Sequence, residues 1–248
     1  MRSPAVWSRS PGPWPVTPPH VLRFAGFKVD LNAMVAMEKP ALCPSVYLAG
    51  PTVFEPDPDT IFAQMKQLCT RHGLHGVSPL DNQIGLEGIA PGRSLARRIV
   101  QADIELMHKV DGGIFCLDGF RRGPEMDPGT AFEVGYMLAL RKPLVGWTSD
   151  PRDYPARVRA FFAETFGLTL NTGGAGGMGA RSGALRDPDG ILVHSEGCVQ
   201  NAMVHVGIEL SGGAVSVSTR WLAAFESAIA HLARLLAASD IAPLRAEA

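Results

Sequence analysis

The segment MDPGTAFEVGYMLAL carries a single charge between Asp127 and Arg141, the carboxylate of Glu133, set among Ala131, Phe132, Val134, Tyr136, Met137 and Leu138. A helix that is apolar nearly all round is usually buried, and an ionised carboxylate is costly there unless it is paired, hydrogen-bonded or facing a cavity. Glu133 therefore points to a polar pocket in which it is used. Asp127, followed by Pro128, also reads as a helix start, with the carboxylate as N-cap and proline in the first turn. Asp103, on the preceding helix, and Asp111, just before the run GGIFCLD, are expected at the same rim as Glu133. Two or three carboxylates around a cleft, without histidine ligands, suit chemistry at a glycosidic carbon: one attacks as nucleophile while another manages the leaving group's proton.

Elements that could hold these groups begin at Ser45. SVYLAG is a short apolar strand, residues 59–71 read as a helix, and HGVSPL is a strand-like run. A helix from Ser94 to His108, the strand GGIFCLD, a helix from Gly129 to Leu140 and the strand KPLVGW follow. Such alternation predicts one α/β domain over residues 45–240, a doubly wound parallel sheet of the flavodoxin-like or Rossmann-like kind with flanking helices. In open sheets of this kind ligands sit at the carboxyl ends of the strands, so AGPTVF, PLDNQ, LDGF and the segment before Gly129 are the loops to search. Residues 167–190 hold eight glycines and read as a flexible insertion rather than an element. Beyond them, TRWLAAFESAIAHLARLLAAS is an amphipathic helix with Trp221, Leu222, Phe225, Ile229, Leu232 and Leu236 on one stripe. That stripe is expected to pack on the sheet, a subunit contact being the alternative.

Composition bounds the partners. The 248 residues carry a formal charge of -1, which argues against a nucleic-acid polymer as ligand, because such binding rests on clustered Lys and Arg. A small molecule is the expected partner. The first 44 residues hold 8 of the 20 prolines, with five basic against two acidic side chains, and read as a disordered arm with no assigned function; Met34 or Met37 is an alternative start. The prolines there break any signal-peptide core, no uncharged apolar stretch of about 18 residues suggests a membrane span, and the four cysteines form no C-x-x-C pair. A cytoplasmic protein with reduced thiols is expected. GAGGMG at 174–179 matches the letters of a dinucleotide fingerprint, but no helix follows it. The seven histidines show no ligand spacing, so no metal is expected.

VYLAGP, then SPLDNQ, then Asp103 eight residues before Asp111, then DPGTAFEVGY together resemble the nucleoside 2-deoxyribosyltransferase family. The resemblance covers roughly residues 46–147, and NAM at Asn201–Met203 is similar to the family's later Asn-x-Met segment. It implies that Glu133 is the nucleophile that attacks the anomeric carbon of a 2′-deoxynucleoside, and that Tyr47, at the end of the first strand, hydrogen-bonds and positions it. It further implies that Asp103 and Asp127 contact and protonate the departing base, that Gln83 lines the base side, and that Gly50, Phe54 and Gly129 bind substrate. Asn201 and Met203 would reach the sugar's 5′-hydroxyl from a neighbouring subunit, in a homo-oligomer with shared sites. The implied partners are nucleosides and nucleobases, with no cofactor, no membrane and no nucleic-acid polymer. Two successive inversions at one carbon give retention and ping-pong kinetics. Two other functions remain open at this stage. One is hydrolysis of a deoxynucleoside or its 5′-monophosphate, favoured if Arg121 and Arg122 of the enlarged LDGFRRGPEMDPGT loop face the sugar's 5′ end. The other is a non-catalytic nucleoside sensor.

Overall fold

The computed structural model describes residues 43–82, 88–172, 185–193 and 196–241. The N-terminal arm up to residue 42, Gln83, and the glycine-rich stretch 173–184 with its GAGGMG lie outside the described residues.

Five strands form one parallel sheet: β1 (Ser45–Ala49), β2 (His75–Val77), β3 (Gly112–Cys116), β4 (Leu144–Thr148) and, last in the chain, β7 (Val215–Val217). Their order is β2-β1-β3-β4-β7. The connecting helices are α1 (Pro58–Arg71), α2 (Arg93–Lys109), α3 (Pro128–Ala139), α4 (Tyr154–Phe166), α5 (Ala202–Leu210) and α6 (Trp221–Ile241). Central strands in such a sheet are buried on both sides and show little polar alternation, as in SVYLA and GGIFC. Alternate residues still divide between two cores. Val46, Leu48, Ile114, Cys116, Val145 and Trp147 pack with α1 and α6, whereas Tyr47, Ala49, Phe115 and Leu117 pack with α2, α3 and α5.

Three helices begin on an aspartate cap with proline in the first turn. The side chains of Asp57, Asp127 and Asp153 accept from the backbone N–H of Thr60, Thr130 and Ala156. Each satisfies a donor that the helix itself leaves unpaired.

The structure departs from the sequence reading in four places. Helix α4 and strand β7 were not anticipated: arginines 157 and 159 interrupt the apolar period of α4, and β7 is only three residues long. The glycine-rich insertion is not structureless at its ends, because β5 (Asn171–Thr172) pairs antiparallel with β6 (Leu185–Arg186), and Leu185 packs on Val158 of α4. On α6, Phe225, Ile229, Leu232 and Leu236 pack on the sheet as expected, but Leu222 is exposed because it lies outside the arc that the sheet covers. That helix is long and apolar enough to cross a bilayer by composition alone. Helix α3 is not buried all round either, since Phe132 is 54% exposed.

Candidate active site

The chain leaves β1 for the edge strand β2 and returns past β1 to β3, so the loops after β1 and β3 diverge to opposite faces. A crevice opens at the carboxyl ends of strands where the winding reverses in this way. The strand alternation aims Tyr47 into the α2/α3 side. Tyr47 is fully buried and stands in the middle of β1, not at its end. Its hydroxyl donates to Glu133 Oε1 at 2.6 Å.

Glu133 lies in the second turn of α3, half-buried. The start of that helix sets its position. Asp127 Oδ2 accepts from Thr130 N at 2.8 Å and from Thr130 Oγ1 at 3.0 Å. A Cβ at Gly129 would stand 2.9 Å from that oxygen, so glycine keeps the capping carboxylate uncrowded. Asp127 Oδ1 accepts no hydrogen bond from the described residues, although the residue is only 7% exposed.

These groups share one electrostatic field. Burial pushes the Glu133 carboxyl up to about 7; the Tyr47 hydroxyl bond pulls it back, while the charges of Asp103 and Asp127 push it further up. Burial also raises Asp103, to about 6. Tyr47 is driven far above its ordinary value by burial, then by the charges of Glu133 and Asp103, so its hydroxyl stays a donor. Desolvation is the leading cause in all three. A carboxylate held, among the described residues, by a neutral hydroxyl and no cation can act as a nucleophile or exchange a proton near neutral pH.

Asp111 does not join them. Its Oδ2 accepts from Ser45 N at 2.7 Å and Ser45 Oγ at 3.1 Å, tying together the amino ends of β1 and β3. A residue that precedes a parallel strand lies at the edge opposite the ligand crevice, which corrects the expectation that it lines the same rim.

The SPLDN turn after β2 reaches α2. Asp81 Oδ2 accepts from Ser78 N at 2.7 Å and Ser78 Oγ at 3.0 Å, which closes the turn, and Asn82 Nδ2 donates to Ala102 O at 2.7 Å. Asn82 is thereby bonded to the residue next to Asp103. The sequence reading singled out the neighbouring Gln83 and missed this link.

After β1, Gly50 lies against the end of β3: a Cβ there would stand 2.7 Å from Cys116 Cβ. Phe54 is 60% exposed and its ring sits 5.3 Å from that of Phe120, over which Arg121 lies at 4.8 Å. Arg121 and Arg122 both adopt left-handed backbone, at φ 51° and 65°. Arg122 lines a pocket of about 70 Å³ with Asp150, Arg152, Arg157 and Glu164, and none of Tyr47, Asp103, Asp127 or Glu133 borders it. The buried Arg157 donates to Leu117 O, Thr148 Oγ1 and the carbonyls of Arg152 and Asp150. It holds the ends of β3 and β4, a role with no local signature in the sequence.

Asn201 caps α5, accepting from Met203 N at 2.9 Å, and Met203 is 84% exposed. Helix α5 packs beside α3, but no described hydrogen bond joins Asn201 to Tyr47 or Glu133. Within one chain, then, the fold gathers Tyr47, Asp103, Asp127 and Glu133, with Asn201 and Met203 turned outward. Among the described residues no three His, Cys, Asp or Glu side chains are grouped to hold a metal ion.

Comparison with known proteins bears on this arrangement. An uncharacterized protein of Schizosaccharomyces pombe is 46% identical over 207 residues, covering 83% of this chain and 97% of that protein. A 2-desoxiribosyltransferase from Leishmania mexicana has a similar structure, with a TM-score of 0.50 and 27% identity over 76% of this chain and 98% of its own. The family model described as nucleoside 2-deoxyribosyltransferase matches residues 46–203. That span runs from the first strand through Met203 and takes in the whole carboxylate cluster; the chain belongs to the nucleoside 2-deoxyribosyltransferase family.

Proposed function

We propose that the protein transfers 2-deoxyribose from one nucleobase to another through a covalent ester on Glu133. The observation that carries this reading is the 2.6 Å bond from the buried Tyr47 hydroxyl to Glu133 Oε1. It orients the carboxylate without neutralising it, as a cation would. Oε2 is then the attacking atom. The C1′–N bond breaks, its electron pair leaves with the base, and a proton passes to the base from the carboxyl group of Asp103, which burial raises above the ordinary carboxylate range. Asp127 Oδ1 contacts the same base and aligns it to receive that proton. Attack by the nitrogen of a second base on C1′ breaks the ester, restores the Glu133 carboxylate and returns a proton to Asp103. Electrostatic stabilisation of the oxocarbenium-like state by Glu133 supplies much of the acceleration.

Assembly belongs to this reading. Met203, Val206 and Leu210 are exposed at helical spacing on α5, and Phe132 is exposed on α3. Exposed apolar side chains on α5 support burial against a second copy, whose Asn201 and Met203 would approach the sugar. The test is incubation with deoxyinosine, with and without adenine, followed by chromatography of the bases. Release of hypoxanthine that depends on adenine is the expected result. Free base without an acceptor would make the protein a hydrolase, and binding without turnover would make it a sensor.

A further inference from the structure

Gln200 belongs to none of the groups assigned above, yet it is fully buried and its amide is used on both sides. Nε2 donates to Leu117 O at 3.1 Å and to Pro124 O at 3.0 Å, while Oε1 accepts from Met126 N at 3.3 Å. Those partners lie 74 to 83 residues away in the chain. Leu117 opens the loop that leaves β3, and Pro124 and Met126 lie near its end, where it delivers Asp127 to the start of α3. Inside, that loop is tightly folded. Phe120 N donates to Glu125 O at 2.8 Å, Gly123 N to Phe120 O at 2.9 Å, and a Cβ at Gly119 would stand 2.2 Å from Gly123 O. Its two arginines in left-handed backbone are held there only if the surroundings over-determine them. A buried amide that spans both ends of the loop is one such constraint: among the described residues it is the partner of Pro124 O and Met126 N, while Leu117 O is shared with Arg157.

We propose that Gln200 is a positioning residue that fixes the Asp127 carboxylate against the departing base; this rests on the transferase reading above. Met126, which Gln200 holds, is covalently followed by Asp127, whose Oδ2 caps α3 and whose Oδ1 accepts no hydrogen bond from the described residues. Gln200 is also followed by Asn201, the cap of α5, so one side chain ties the leaving-group loop to the α5 wall. Displacements of about 1 Å in such a group can cost on the order of 10²-fold in rate.

The test compares two donors with adenine as acceptor. Deoxyinosine needs a proton on its leaving base. N7-methyl-2′-deoxyguanosine does not, because its cationic base takes the electron pair of the broken C1′–N bond and leaves neutral. The variants are Gln200→Leu, of similar size without hydrogen bonds, and Gln200→Glu, which keeps the acceptor for Met126 N and loses both donors. For whichever variant retains the wild-type circular dichroism, kcat/KM for deoxyinosine, which reports the donor half-reaction alone, is expected to fall roughly 10²-fold while kcat/KM for the methylated donor falls less than about 5-fold. Equal losses on the two donors would overturn the inference, as would loss of the fold in both variants, since Gln200 would then be structural only. Failure of the wild-type protein to cleave either donor would instead overturn the transferase reading on which the inference stands.

Discussion

The two faces of the sheet are built from the same strands and do different things. Toward α1 and α6 the side chains are Val46, Leu48, Ile114, Val145 and Trp147 against Phe225, Ile229 and Leu232, with no carboxylate among them. The thiols on that side stay neutral, because burial pushes Cys69 up to about 12 and Cys116 up as well. Toward α2 and α3 the adjacent residue of the same strand is Tyr47, and its hydroxyl meets Glu133. A one-residue step along β1 separates core from candidate chemistry. The lesson is that a carboxylate with a raised pKa is tolerated where the winding of the sheet reverses and opens one face, while the other face supplies the stability that carries its cost.

Substitution on each face should separate turnover from stability. Glu133→Ala is expected to lower transfer by on the order of 10⁴-fold or more, with a far-ultraviolet spectrum close to wild type and a urea midpoint that does not fall. Phe225→Ala, opposite it, should cost about 3–5 kcal/mol in urea unfolding and leave kcat per folded molecule unchanged. If both changes depressed activity and stability alike, the two faces would not be distinct.

Tyr47→Phe has a smaller expected effect, roughly 10- to 100-fold on kcat/KM. Its signature lies in the pH profile. The Tyr47 bond lowers the Glu133 pKa, so its removal raises that pKa, and the acid limb of kcat/KM should move to higher pH in the variant. A limb that stayed in place would show that the hydroxyl does not govern ionisation of Glu133.

The same carboxyl also sets a dependence of stability on pH. Its folded-state pKa of about 7 is above the ordinary 4.5, so the folded state favours the protonated form. This stabilising contribution is complete below about pH 4.5 and is lost as the pH rises through 7. Glu133→Gln should therefore be more stable than wild type at pH 8, by on the order of 2 kcal/mol, with the difference shrinking toward pH 5. Urea titrations at the two pH values check this.

The smallest effect concerns the helix caps. Asp57 and Asp127 make the same start on α1 and α3, but Asp57 is exposed and Asp127 buried beside Glu133. Asp57→Ala should cost about 1 kcal/mol of stability and no activity. Asp127→Asn, which retains a capping oxygen, should lose turnover while leaving stability within about 1 kcal/mol.

Much of this was legible from residue order because it is local. Apolar runs mark β1, β3 and β4, an aspartate-proline pair starts α3, and the isolated acid of α3 marks Glu133. Tyr47 and Glu133 were paired through the family resemblance. What could not be read depends on chain reversal. Asp111 directly precedes β3 and so has to stand at the amino end of a parallel strand, whereas Asp103 nears Tyr47 and Glu133 only through the way α2 runs back along the sheet. Helix α4 has a readable start at Asp153 and Pro155, but its buried Arg157 looks like a surface residue until the carbonyls around it are seen. Gln200 has no local pattern at all, for its partners are brought to it only by the folded loop.

The nucleophile itself can be tested by mass spectrometry. Protein mixed with deoxyinosine in the absence of acceptor, quenched in acid and digested, should yield the peptide containing Glu133 heavier by one 2-deoxyribosyl group, and adenine added before the quench should remove the label. Steady turnover with no labelled peptide, or with the label on another residue, would contradict the assignment of Glu133.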